Sequence, residues 1–137
     1  MNFRHEWKHQ IAPGDLLVLR QRLRAVARPD SHAADGKYFM RSLYFDTPSD
    51  TALREKLDGV DRREKFRLRL YNGDTSLIRL ERKSKAGGLC SKESAALTRE
   101  EAQAAADGAL AWMPESGRPL VQELYHKMRT QGLQPKT

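Results

Sequence analysis

Two neighbouring segments, 63–71 and 77–85, alternate in steps of two, and Asn72-Gly73-Asp74 lies between them. Side chains on a strand point to opposite faces in turn, and an Asn-Gly step favours the positive φ angles of tight hairpin turns. The pattern predicts an antiparallel hairpin. In its first arm the odd positions are Arg63, Lys65, Arg67, Arg69 and Tyr71, and the even ones Glu64, Phe66, Leu68 and Leu70. In its second arm the odd positions are Arg79, Glu81, Lys83 and Lys85, and the even ones Ile78, Leu80, Arg82 and Ser84. One face is cationic and the other largely apolar. Paired in register, two rows of cations stand side by side, with Glu81 the only acid on either row. Like charges directly opposite destabilise a sheet, so the rows require a compensating anion or generous hydration. Arginine suits bidentate phosphate contacts and lysine acts as a mobile point charge. The bland alternative is a solvated antiparallel face.

The flanking segments supply cover for such a sheet. Residues 3–11 also alternate and predict a strand with Arg4, Glu6 and Lys8 on one face. Pro13-Gly14 breaks it, and Leu16, Leu19, Leu23 and Val26 then recur at helical intervals, predicting a helix that ends near Pro29. A strand is predicted over 38–46. A helix opens at Thr47-Pro48, with Leu53 and Leu57 on one face and Gly59 as its cap. A further strand falls at 89–96. Thr98-Arg99-Glu100-Glu101 has the form of a capping box, residues 112–117 form a linker, and Pro119 opens a last helix with Leu120, Leu124 and Met128 on its apolar face. Trp7, Phe39, Phe45 and Trp112 are assigned to the core or to helix contacts. The fold class is α+β. In a closed antiparallel barrel the inward face of every strand lines the interior, so strands that are polar inside and apolar outside need helices around them.

Composition narrows the function. Lys and Arg number 25 against 18 Asp and Glu, a net charge of +7. This excess favours a polyanionic partner: nucleic acid, an anionic surface or a phosphate-rich ligand. The cationic rows carry only Tyr71 as an aromatic residue, which argues against the stacking platforms of single-stranded nucleic-acid binders. Cys90 is the lone cysteine, so an intrachain disulfide is excluded, and a reducing, cytoplasmic setting is expected. No stretch approaches the apolar length of a membrane helix, and the N-terminus has no apolar signal region. His5 and His9 share a face but would stand ~13 Å apart on a strand, too far for one metal ion. Cys90 has no evident activating base, and Asp46, just before Thr47-Pro48, reads as a structural hydrogen-bonding residue.

Taken in order, RHEWKHQI, SLYFDT, LREKLDG, KFRLRLY, IRLERKSK and CSKES resemble the VTC (vacuolar transporter chaperone) domain of polyphosphate polymerases, within the CYTH-like triphosphate tunnel superfamily. The resemblance spans residues 4 to about 101. It implies an antiparallel β-tunnel with flanking helices, of which this chain would hold about half the strands, and a single domain over 1–137 truncated at its C-terminus. It implies transfer of the γ-phosphate of ATP to inorganic polyphosphate, with Mn2+ or Mg2+. Carried over by position, Arg67, Arg69 and Lys83 would be the catalytic phosphate grip. Arg4, Lys8, Lys56 and Lys92 would bind further phosphates, Lys56 standing where some relatives have Arg. The metal-binding acid is expected outside this stretch. Relatives that hydrolyse triphosphates carry E-x-E-x-K on the first strand; Arg4-Glu6-Lys8 departs from it and favours the polymerase branch. Ala95 is a second departure, where relatives can place a Lys. The alternatives are a tunnel-fold triphosphatase and a non-catalytic polyphosphate- or polyanion-binding fragment. No specific nucleic acid is expected, and self-association or a complementing C-terminal half is.

Overall fold

The computed structural model describes residues 2–136. Its centre is the predicted hairpin: β2 (Arg63–Tyr71) and β3 (Ile78–Ala86) pair antiparallel with Lys65 opposite Lys83, Leu68 opposite Leu80 and Arg69 opposite Arg79. At the turn Asn72 and Gly73 have φ of 52° and 71°, the left-handed region that Gly and Asn enter at least cost. A second hairpin leads to β4 (Leu89–Leu97) through Gly87-Gly88, both at positive φ. The Asp61 carboxylate accepts from both glycine amides, at 2.8 and 3.3 Å, and holds that two-residue loop. β1 (Met40–Asp46) lies on the other side of β2, and the short β5 (Gln134–Lys136) adds to β1. The five-stranded sheet runs β4-β3-β2-β1-β5, antiparallel at every step and not closed.

Alternation decides what covers each face. Phe66, Leu68, Ile78, Leu80 and Leu97 point to one side and are buried. There they pack in a single cluster with Ala102 and Ala105 of α3 (Arg99–Ala106), Met113, and Leu120, Val121 and Leu124 of α4 (Pro119–Thr130). The predicted capping box is present at α3: Thr98 accepts from the Glu101 amide at 3.1 Å, and Glu101 accepts from the Thr98 amide at 2.9 Å. Arg118 then binds the same Glu101 and ties α4 to α3. The segment 112–117, expected as a plain linker, contains a short 3-10 turn, Met113–Glu115, whose Met113 fills the core. Arg82 faces this apolar side and is neutralised by Glu93 and Glu123.

The N-terminal third departs from the sequence reading. Residues 3–11 form no strand; their only ladder contact is an isolated bridge between Arg4 and Cys90. A lone segment at the sheet edge gains too few hydrogen bonds there to be held straight. Trp7 and Phe39, assigned to the core, are 79% and 77% exposed, whereas Phe45 is buried and Trp112 packs against the core. Helix α1 (Pro13–Leu23) is shorter than predicted and buries none of its residues. α2 starts at Thr51 rather than at Thr47-Pro48 and runs to Leu57. The reason is Asp46: its carboxylate accepts from the amides of Thr47, Ala52 and Leu53 at 2.7, 2.9 and 3.1 Å. It thereby caps the helix from six residues upstream, and Thr47–Asp50 must turn to reach it. Leu53 and Leu57, the predicted apolar face of α2, are exposed.

A candidate phosphate-binding face

Opposite α3 and α4, the odd positions of β2 and β3 form the cationic face that their alternation requires, and register extends it in both directions. Lys92 of β4 stands opposite Lys83, which stands opposite Lys65, so three lysines cross the sheet in one row. In the next row Tyr44 of β1, Arg67, Glu81 and Ser94 stand side by side; in the one after it, Ser42, Arg69, Arg79 and Ala96.

The compensating anion that such rows require is partly internal. Glu81 is 2% exposed on this face. Arg67 Nε donates to its Oε2 at 2.8 Å, and Arg67 Nη2 lies 2.6 Å from the same oxygen. Lys92 Nζ lies 3.5 Å from its Oε1, and Arg69 Nη1 lies 3.9 Å from Oε2. Burial works to raise the Glu81 carboxyl, but the Arg67 hydrogen bond and the charges of Arg67, Lys92 and Arg69 outweigh it and hold it below the ordinary value. One carboxylate thus anchors three cations. Arg67 also donates to the Tyr44 hydroxyl at 3.1 Å, and Arg69 Nε donates to Ser42 Oγ at 3.2 Å. Both guanidiniums are held in place with N–H groups to spare, because arginine carries five.

The lysines are more exposed and gather around a cleft of about 260 Å³, lined by Lys8, Lys56, Lys65, Lys83, Lys85 and Arg63 with the acids Glu6 and Glu64. Lys83 pairs with Glu6, which also lies 3.5 Å from Lys8. That contact lays the N-terminal segment over the cationic face even though it forms no strand. Lys65 has no carboxylate partner among the described residues. Burial pushes its ammonium below the ordinary lysine value, and Lys56, Arg67 and Lys83 push in the same direction against Tyr44. A lysine half-buried among cations with no acid paired to it would have its charge favoured by a bound anion.

Of the residues singled out from sequence, Arg67, Arg69, Lys83 and Lys92 share one continuous face, and Lys8 and Lys56 join Lys83 at the cleft. Arg4 does not line that cleft; its backbone pairs with Cys90 at the sheet edge. Lys65 lies in the cationic row that alternation predicts, with nothing local to set it apart from its neighbours. Tyr44 joins the same face from β1. Its signal was present in SLYFD, where Ser42, Tyr44 and Asp46 alternate with Leu43 and Phe45. Mn2+ or Mg2+ has no matching donor set here. Among the described residues no three His, Cys, Asp or Glu side chains gather, and the oxygens of Glu81 are already turned to cations. Hard divalent ions need several oxygen ligands, so these side chains do not build a metal centre.

The sheet is open and antiparallel, with one cationic face that holds a buried internal counter-ion and with α3 and α4 on its other side. The family model of the VTC domain matches residues 3–137, and the chain belongs to that family. Membership ties it to a polyphosphate-related function in general terms. A search of curated proteins finds no match. No helix among the described residues is long and apolar enough to cross a membrane.

Proposed function

We propose that this chain provides the phosphate-gripping wall of an ATP-dependent polyphosphate polymerase. The observation that carries the reading is the registered cationic face: Lys65, Lys83 and Lys92 in one row, with Arg67 and Arg69 beside them around Glu81. In the reaction, a terminal oxygen of the polyphosphate chain attacks the γ-phosphorus of ATP. The bond from that phosphorus to the bridging oxygen breaks, and ADP leaves with the electron pair. Such transfer needs little covalent chemistry from a protein and relies on positioning and charge stabilisation. Arg67 and Arg69, pinned by Glu81, Tyr44 and Ser42, supply fixed donors, and Lys83, Lys92, Lys8 and Lys56 supply mobile charge. A divalent ion would belong to this scheme as part of the substrate, the metal–ATP complex, and would supply charge neutralisation there. A cytoplasmic setting, where ATP is at hand, agrees with the free thiol of Cys90.

A second reading has its own observation. The sheet is not closed, and an open wall grips a phosphate chain without enclosing it. On that reading the chain binds polyphosphate and does not elongate it. Calorimetric titration with tripolyphosphate, beside the double variant Arg67→Ala/Arg69→Ala, tests what the two readings share. Binding by the parent chain and at least tenfold weaker binding by the variant is the expected result, about what loss of charged hydrogen bonds brings. Equal binding by both removes the site from this hairpin. An assay of ATP-dependent polyphosphate lengthening then separates polymerase from binder.

A further inference from the structure

Tyr44 helps to hold Arg67, and its own surroundings are specific. It stands between Arg67 of β2 and Lys136 of β5 in the register of the sheet. Lys65 Nζ lies 5.3 Å from its ring centre and Arg67 Cζ lies 5.9 Å from it. Its hydroxyl oxygen accepts from Arg67 Nη1 at 3.1 Å. A phenol is both donor and acceptor. With the oxygen facing a guanidinium, its hydrogen must point to another partner, and among the described residues no acceptor takes it. The ring lines a cleft of about 390 Å³ together with Lys56, Lys65 and Lys136 and two acids that are already engaged, Asp50 by Lys136 and Asp46 by the amides of Thr47, Ala52 and Leu53. A hydroxyl donor fenced by cations complements an anion rich in oxygen acceptors.

We infer that Tyr44 is a phosphate-binding residue, donating its phenolic hydrogen to an oxygen of a linear phosphate chain while Arg67 holds the phenolic oxygen from behind. The inference rests on the phosphate function proposed for this face and adds to it a neutral ligand. Among so many cations a neutral donor has a clear use: it adds a hydrogen bond without adding repulsion to the empty site. Burial works to raise the phenol's pKa, but the Arg67 hydrogen bond and the charges of Lys65, Arg67 and Arg69 outweigh it and lower the value. A more acidic hydroxyl is a stronger donor to an anion.

The test uses the full chain, tripolyphosphate as probe, and Tyr44→Phe, which keeps the ring between its cations and removes the hydroxyl. Calorimetry is expected to show affinity reduced roughly tenfold or more, the range for a hydrogen bond to a charged group. The second reading is tyrosinate absorbance during alkaline titration, with and without saturating tripolyphosphate. The Tyr44 step, isolated as parent minus variant, is expected to move to higher pH when phosphate is bound. The neighbouring groups are common to both proteins: Lys65, Arg67 and Arg69 on β2, Glu81 on β3, Lys56 and Asp50 at α2, Asp46 on β1 and Lys136 on β5. Unchanged affinity in Tyr44→Phe overturns the inference whatever the ionisation does. Weaker binding with an unmoved step overturns it too, because it leaves Tyr44 a purely structural part. Should the variant fail to fold, the tyrosinate titration of the parent with and without tripolyphosphate decides alone, by moving or staying. If the parent does not bind tripolyphosphate, the proposed function falls with the inference; if it binds and only Tyr44→Phe is silent, the inference falls by itself.

Discussion

Glu81 is the residue on which the cationic face depends most. A carboxylate this deeply buried survives only where its charge is matched, and Arg67, Arg69 and Lys92 match it. Removing one member of a buried ion pair leaves its partners uncompensated, at a cost of about 3–5 kcal/mol. Glu81→Gln is therefore expected to lower unfolding stability by that order in a denaturant titration. Tripolyphosphate is expected to restore more stability to the variant than to the parent, because the ligand then supplies the missing anion. The pH dependence follows from the same group. Its folded pKa is depressed, so its stabilisation is complete above the ordinary glutamate value and disappears as pH falls through the lower folded one. The acid limb of a stability-against-pH profile should flatten in Glu81→Gln. From sequence Glu81 is visible as the only acid on the two rows. That it serves three cations at once follows from register and burial.

At the scale of elements, the helices divide into those that hold the sheet and those that do not. α4 inserts Leu124, fully buried, against the sheet, whereas Leu17 of α1 is 67% exposed. Leu124→Ala is expected to cost about 2–5 kcal/mol through the cavity it leaves. Leu17→Ala should fall within about 0.5 kcal/mol of the parent. The same denaturant series reads both. Thr98→Ala opens the capping box of α3 and should cost about 1 kcal/mol. The capping box was legible because its residues are sequence neighbours, three apart. The start of α2 was not, since the side chain that caps it, Asp46, belongs to the preceding strand. Residues 3–11 show the limit of periodicity in the other direction. Their alternation suits a strand, but strand structure needs a partner along its whole length, and here only Arg4 finds one, at Cys90.

For the whole molecule, the net charge of +7 is not spread evenly. The side of the sheet under α3 and α4 buries apolar residues and neutralises Arg82 with Glu93 and Glu123, while the opposite side gathers lysines and arginines around Glu81 and Glu6. Binding at such a face should weaken as salt rises, since exposed charges are screened beyond about 10 Å at 0.1 M ionic strength. A wall of in-register cations should also prefer tripolyphosphate to duplex DNA at equal phosphate concentration. Competition calorimetry at two salt concentrations checks both expectations, and equal affinity for DNA would mark the face as a general polyanion surface. What the sequence determined by itself is whatever depends on near neighbours: the hairpin, the cationic and apolar parity of its arms, the glycine turns and the α3 cap. The tertiary structure decided which cations meet. Tyr44, Lys56 and Lys8 come to Lys65, Arg67 and Lys83 only because segments distant along the chain pack side by side, and no local pattern encodes that meeting, whereas Lys92 comes to Lys83 through the neighbouring Gly87-Gly88 turn.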